Sequence, residues 1–111
     1  MNKPYFSLII PCYNEGPTFE TSVKKVVSEL GKLKKSWEII FVEDTSGDET
    51  KKTVEKLVVE IKNSHAIYHK KNEGRGKTVR DGILKAKGEI CAFLDIDLEV
   101  SEKYIPIFIN E

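Results

Sequence analysis

Cysteine is scarce in this 111-residue chain: only Cys12 and Cys91 occur, far apart and in no metal-binding spacing. That scarcity argues against a disulfide framework and fits a reducing cytosol, so the cytoplasm is the expected compartment. An excess of charge is missing as well, with 18 Lys+Arg against 18 Asp+Glu. The balance removes any global electrostatic case for nucleic acid as a partner. Apolar runs such as residues 8–12 are far shorter than the ~20 residues that span a bilayer. No charged-then-apolar signal opens the chain, and it holds no repeats, linkers or low-complexity tracts. What remains, at 40% hydrophobic and 32% charged residues, is the composition of an ordinary folded domain. A chain this size buries about two-thirds of its unfolded surface, enough for one core but not two. Residues 1–111 are therefore expected to be a single domain.

Apolar and helical patterns alternate along the sequence. Residues 5–11 form an almost continuous apolar run, the mark of a strand buried on both faces. Gly16-Pro17 punctuates it, with proline suited to a first helical turn. Phe19, Val23, Val26, Val27 and Leu30 then recur on one helix face, and Gly31 suits the stop. Residues 37–42 make a second strand. Ser46-Gly47-Asp48-Glu49 has the form of a capping box, opening a helix whose buried stripe is Val54, Leu57, Val58 and Ile61. Residues 66–69 are a short third strand and 74–77 a glycine-basic loop. Val79, Ile83 and Ala86 mark the next helix face, closed by Gly88, and 89–94 form a fourth strand, apolar on both faces. Ser101 can cap a last helix bearing Tyr104, Ile105, Phe108 and Ile109, although Pro106 would strain it.

This βαβαβαβα order predicts an α/β fold: a Rossmann-like, three-layer α/β/α arrangement around a mainly parallel sheet with right-handed crossovers. In that pattern no later strand covers the outer edge of the fourth. Either the chain is truncated at its C-terminal end, or a second copy pairs with the edge; a homodimer through the fourth strand is the expectation.

Open parallel sheets bind ligands at the carboxyl ends of their strands, near the point where strand order reverses. The four segments that follow the strands, at 11–16, 43–48, 72–78 and 95–99, bring carboxylates, an aromatic and a basic glycine loop to one rim. Asp95 and Asp97 bracket one residue just past an apolar strand, and Glu99 continues their parity. Such oxygen donors suit Mg²⁺ or Mn²⁺, which keep waters and bind substrate phosphates. A solvated acidic loop capping the last helix is the alternative. Asp44, at the end of strand two, stands where an acid commonly hydrogen-bonds a nucleoside. The competing view is that Glu43, Asp44 and Asp48 merely favour a helix N-terminus. Tyr13 can flank a base or simply pack. Arg75 and Lys77, with Gly74 and Gly76 permitting close backbone approach, can hold a diphosphate at a helix N-terminus.

Several familiar motifs fail on inspection. Gly76-Lys77-Thr78 lacks the earlier glycine of a P-loop, since position 71 is lysine. Residues 11–16 contain no dinucleotide-binding glycine signature. Asp95-Ile96-Asp97 is on the wrong strand for an aspartate-nucleophile phosphatase, and Glu99 occupies the place of its Thr or Val. His65 and His69 are spaced like a helical metal pair, but they flank a β-type segment and are expected to be surface or packed histidines, and the two cysteines buried thiols.

With all four segments in view, the sequence resembles glycosyltransferase family 2, on the GT-A nucleotide-sugar fold. The resemblance rests on residues 7–15, 42–50, 74–77 and 94–97, in order along essentially the whole chain. The glycine-basic loop and the 95–99 segment look most like the dolichyl- or polyprenyl-phosphate sugar transferases. It implies that Pro11, Tyr13 and Glu15 line a nucleoside pocket and that Asp44 contacts base or ribose. Arg75 and Lys77 would lie near the diphosphate of a UDP- or GDP-sugar. Asp95 would line that nucleotide site and, with Asp97 and Glu99, hold Mg²⁺ or Mn²⁺ against it. The implied reaction is inverting sugar transfer to an acceptor such as a polyprenyl phosphate, at the membrane periphery in a full-length protein. Two departures stand out: Glu43 replaces the more frequent Asp, and the family's catalytic domain is longer than this chain. The acceptor site and any catalytic base are expected in the part beyond it. A non-catalytic nucleotide-binding or interaction module, or a bare structural domain, are the rival expectations.

Overall fold

A computed structural model describes residues 3–96 and the backbone strand Ile107–Ile109. The first strand, β1 (Phe6–Cys12), is buried at all seven positions, as its unbroken apolar run requires. It leads into α1 (Phe19–Leu30), β2 (Trp37–Glu43), α2 (Thr50–Glu60), β3 (Ser64–Tyr68), α3 (Arg75–Lys85) and β4 (Ile90–Phe93). A last strand, β5 (Ile107–Ile109), returns beside β4. The sheet order is β3-β2-β1-β4-β5, parallel except for the antiparallel β4–β5 pair.

Side-chain parity along β1 builds the three layers. Leu8, Ile10 and Cys12 point to one face, where Ile39 and Phe41 of β2 meet Phe19, Val23, Val26 and Leu30 of α1 and Val54 and Leu57 of α2. Ile9 points to the other face, with Ile40, Val42 and Cys91, and α3 covers it through Ile83, with Ala86 just past its end. The approach of α3 is so close that a Cβ on Gly82 would lie 2.5 Å from Ile9 Cγ2. Glycine is required there for space rather than for backbone freedom. At the amino end of the sheet, the Ser7 hydroxyl donates to the buried Glu38 carboxylate (2.6 Å) and accepts from Gly88 N (2.8 Å).

Four expectations need correction. The helix drawn through Phe108 and Ile109 is strand β5; Tyr104 and Ile105 lie outside the described residues. A helix through this point would lose a backbone donor at Pro106, whereas Ile-Phe-Ile suits a pleated strand. Residues Ile90, Cys91 and Ala92 pair with Ile109, Phe108 and Ile107, so the chain itself covers the fourth strand's edge. The homodimer expected through that edge thereby loses its physical basis. The capping box does not form either: Asp48 Oδ1 accepts from Thr50 N (2.9 Å), while the Ser46 hydroxyl accepts from Asn14 N (3.0 Å). The third strand also begins earlier than the apolar pattern implied, at Ser64, whose hydroxyl donates to Ile61 O (2.6 Å) at the preceding turn.

Candidate functional site

The chain runs outward from β1 through β2 to β3, then crosses back to place β4 on the other side of β1. Strand order therefore reverses between β1 and β4, and the crevice above their carboxyl ends is where a ligand is expected. A cleft of about 370 Å³ opens there. Its walls come from the segment after β1 (Pro11, Cys12, Tyr13, Glu15), from Asp44 after β2 and from Asp95 after β4. Asn72, Gly74, Arg75 and Thr78 complete it, from the loop before α3 and its first turns. The volume falls within the roughly 300–1,000 Å³ usual for small-molecule sites.

The loops after β1 and β2 interlock. Gly47 N donates to Asn14 Oδ1 (2.7 Å), reciprocating the bond from Asn14 N to Ser46. Glu15 N donates to the Thr50 hydroxyl (2.9 Å) and Gly16 N to Asp48 Oδ2 (3.2 Å). Asn14 and Thr45 both adopt left-handed backbone, at φ 49° and 61°. Asn tolerates that region, but a β-branched Thr must be held in it. The buried Glu43 carboxylate does so, accepting from Thr45 N (3.1 Å) and Ser46 N (2.9 Å).

Asp44 has a different task from its acidic neighbours. It is 3% exposed, and its carboxylate is turned toward the segment before α3 rather than toward the start of α2. Oδ1 accepts from Glu73 N (2.8 Å) and from His69 Nδ1 (2.7 Å), and Oδ2 accepts from Gly74 N (3.0 Å). Asn72 Nδ2 donates to the Asp44 carbonyl (3.1 Å). Burial works against ionisation, but the His69 bond and the two backbone N–H groups outweigh it and hold the Asp44 carboxyl below the ordinary carboxylate range. The other ring nitrogen, His69 Nε2, lies 2.7 Å from Asp81 Oδ2 on α3. Asp81 is also held low, first by the His69 bond and then by Lys77, whose Nζ is 3.2 Å away.

At the mouth of the cleft, Arg75 grips Asp95 in a fork. Its Nε is 3.2 and 3.0 Å from the two carboxylate oxygens, with Nη2 against Oδ2, while the guanidinium lies 5.2 Å from the Phe93 ring. The Asp95 side chain is 15% exposed and that of Arg75 55%, so the arginine is the member with room to move. Tyr13, at 49% exposure, also lines the cleft. Cys12 also lines the cleft, where burial and the nearby Glu15 and Glu43 charges raise its thiol pKa well above the usual value. It is an inert wall.

Of the residues singled out in the sequence, Pro11, Tyr13, Glu15, Asp44, Arg75 and Asp95 come together on this cleft. Lys77 is not among its lining residues; it faces Asp81 and, at 3.8 Å, Glu73. Asp97 and Glu99 lie outside the described residues. Asn72, Thr78 and the bridging role of His69 escaped sequence reasoning, though the place of His69 just past the third strand put it on the same rim. The Thr78 hydroxyl donates to Gly74 O (2.7 Å), an internal bond consistent with the rejection of a P-loop. Among the described residues no group of three or more His, Cys, Asp or Glu is arranged to hold a metal ion. No described helix is long and apolar enough to cross a membrane.

Comparison with known proteins agrees with this architecture. The model of the glycosyl transferase family 2 matches residues 7–111. A dolichyl-phosphate beta-glucosyltransferase of Dictyostelium discoideum is 36% identical over 100 residues, 84% of this chain and 31% of that protein. An undecaprenyl-phosphate 4-deoxy-4-formamido-L-arabinose transferase of Proteus mirabilis is 29% identical, over 90% of this chain and 31% of its own length. The chain thus spans about a third of the length of these curated relatives. Among solved structures, residues 1–349 of Staphylococcus aureus TarS in complex with UDP superimpose with a TM-score of 0.64 at 30% identity, over 83% of this chain and 27% of that one. The fold is also that of the mannosyltransferase PcManGT from Pyrobaculum calidifontis, in complex with GDP-Man and Mn²⁺ (TM-score 0.67, 19% identity, 86% and 28% covered). The mainly parallel sheet with helices on both faces, the cleft at its switch point and the family match over residues 7–111 lead to one conclusion: the chain belongs to glycosyl transferase family 2.

Proposed function

We propose that this chain forms the donor-binding part of a glycosyltransferase that takes a UDP- or GDP-sugar with a divalent cation and transfers the sugar, with inversion, to a polyprenyl phosphate. The observation that carries this reading is the convergence of Tyr13, Asp44, Arg75 and Asp95, from segments remote in sequence, on one cleft at the switch point. Tyr13 offers an exposed ring on which a base can stack. Asp44, kept ionised, offers an acceptor to a base N–H or a ribose hydroxyl. TarS binds UDP and PcManGT binds GDP-Man on the same fold, which supports a nucleotide-sugar but leaves the base open.

The donor set is compatible with a hard cation. Mg²⁺ and Mn²⁺ are commonly held by one or two carboxylates together with substrate phosphates, so no three-residue protein cage is needed. Asp95, one of the carboxylates lining the cleft, would supply one donor, and Asp97 and Glu99 would complete the set. When bound, the cation supplies Lewis-acid stabilisation of charge on the departing nucleoside diphosphate. Arg75 now neutralises Asp95. An arriving diphosphate offers the guanidinium a more highly charged partner; its transfer frees the Asp95 oxygens and clamps the phosphates. Lys77 adds positive charge on the same helix turn. A phosphate acceptor is already an anionic nucleophile and needs little help from a base. The homologues are named for dolichyl and undecaprenyl phosphates, which favours that acceptor class and a site of action at a membrane surface.

Calorimetry of the chain with UDP and with GDP, each with and without Mn²⁺, tests the reading. Binding of one nucleotide that strengthens with Mn²⁺ and loses that response in Asp95→Asn is expected. No heat with either nucleotide at millimolar concentration would overturn it. Metal-dependent binding by a longer protein that never transfers sugar would assign the chain as a nucleotide-binding module instead.

A further inference from the structure

His69 is buried, with only 6% of its side chain exposed, yet it makes two polar contacts of 2.7 Å, one from each ring nitrogen. Both partners are carboxylates: Asp44 at the end of β2 and Asp81 in α3. An ionised carboxylate is an acceptor only. A neutral imidazole carries a single N–H and satisfies one such partner, leaving lone pair against lone pair at the other. With both carboxylates ionised, an imidazolium, carrying an N–H on each nitrogen, satisfies the two contacts together. The backbone of His69 is fixed as well, its N–H donating to Glu43 O (2.9 Å) and its carbonyl accepting from the Thr45 hydroxyl (3.1 Å). Among the described residues, Asp44 Oδ2 accepts only from Gly74 N, so one acceptor position of that carboxylate has no partner, and Asp44 lines the cleft.

We propose that His69 is a positioning residue for the nucleoside end of the cleft: as an imidazolium bridging Asp44 and Asp81, it holds the Asp44 carboxylate so that one acceptor position remains for a ligand N–H or O–H donor. The proposal rests on the nucleotide-sugar reading above. It adds a side chain outside the cleft lining and a pH dependence carried by its ring. The charged groups facing His69 are Asp44 from β2, with the neighbouring Glu43 carboxylate engaged by Thr45 N and Ser46 N, Glu73 from the loop, and Asp81 and Lys77 from α3. Lys77 compensates the second carboxylate, so the bridge is not left with an isolated surplus of negative charge. Burial alone would push the His69 pKa down, but the Asp44 and Asp81 contacts hold it above the ordinary histidine range. The bridge consequently persists near neutral pH and opens as pH rises through that shifted value.

The test measures nucleotide affinity by calorimetry with UDP plus Mg²⁺ and GDP plus Mg²⁺, from about pH 5.5 to about pH 9, across the range where a histidine can titrate. Wild-type affinity for the preferred nucleotide is expected to weaken on the alkaline side. His69→Gln should bind about tenfold more weakly at low pH, the worth of one charge-assisted hydrogen bond, and lose the alkaline limb. Asp81→Asn, whose altered group lies outside the cleft lining, should fold normally and move the limb to lower pH. If His69→Gln fails to fold, Asp81→Asn carries the same test. A ring titration of His69 by NMR in the ligand-free chain gives a second arm, with a midpoint above the ordinary histidine value expected and a drop in Asp81→Asn. Wild-type binding with unchanged affinity and pH profile in folded variants would overturn this inference alone. A His69 midpoint at or below the ordinary value would also overturn it. Failure of wild type to bind either nucleotide would overturn both this inference and the reading beneath it.

Discussion

Replacing Asp44 with asparagine preserves shape and removes a charge, so its cost can be worked from the three bonds the carboxylate accepts. If the asparagine oxygen takes the Oδ1 place, it keeps the donors His69 Nδ1 and Glu73 N, and its amide then faces Gly74 N, donor against donor at 3.0 Å. The flipped rotamer is worse, opposing two donors. One buried N–H left unsatisfied costs about 1–3 kcal/mol, and the surviving histidine bond loses the carboxylate's charge. Asp44→Asn should therefore lower unfolding stability by about 2–4 kcal/mol at neutral pH, read as a fall in urea midpoint without change in slope. The pH dependence adds a signature. Because the folded-state pKa of Asp44 is depressed, its contribution is present above the unfolded carboxyl value and is lost as pH falls through the folded one. Wild type and Asp44→Asn should thus converge in stability as the solution is acidified. A difference below about 0.5 kcal/mol at neutral pH, within the range of ordinary surface substitutions, would refute the claim that Asp44 organises the rim.

Other outcomes follow from the same contacts. Gly82→Ala forces a methyl to 2.5 Å from Ile9 Cγ2 and should cost about 1–3 kcal/mol, seen as a lower melting temperature; an unchanged one would contradict the close packing of α3. His69, with a raised folded pKa, contributes stability that is complete below the unfolded histidine value and lost as pH rises through the folded one. Urea midpoints should accordingly decline on the alkaline side in wild type and stay level there in His69→Gln. Cys91 is pushed up to about 11 by burial, then by Glu38, and the buried Cys12 is also raised, so both thiols should resist a thiol reagent in the native chain and react in denaturant. Rapid native labelling would contradict their burial.

The parts of the fold legible in the sequence are those written in local pattern. The run at 5–11 announced a strand buried on both faces, and the stripe from Phe19 to Leu30 a helix that covers it, because burial demands apolar residues at fixed periods. Strand order then directed attention to the rim, and six of the residues chosen there do share a cleft. What stayed hidden depends on tertiary juxtaposition. Nothing near His69 in sequence reveals that its ring sits between acids 25 residues before it and 12 after it. The Ser46-to-Glu49 pattern looked like a capping box because spacing cannot show that Asn14 reaches that serine from another loop. Strand β5 was missed because three residues are too few to display a period, and the preceding apolar positions mimic a helix face.

The most direct test of the account is a backbone NMR titration of the chain with UDP or GDP in the presence of Mg²⁺. Shifts should concentrate at Tyr13, Asp44, Gly74, Arg75 and Asp95, the residues gathered around the carboxyl ends of β1, β2 and β4. Perturbation confined to the amino end of the sheet, around Trp37 and Lys87, would contradict it.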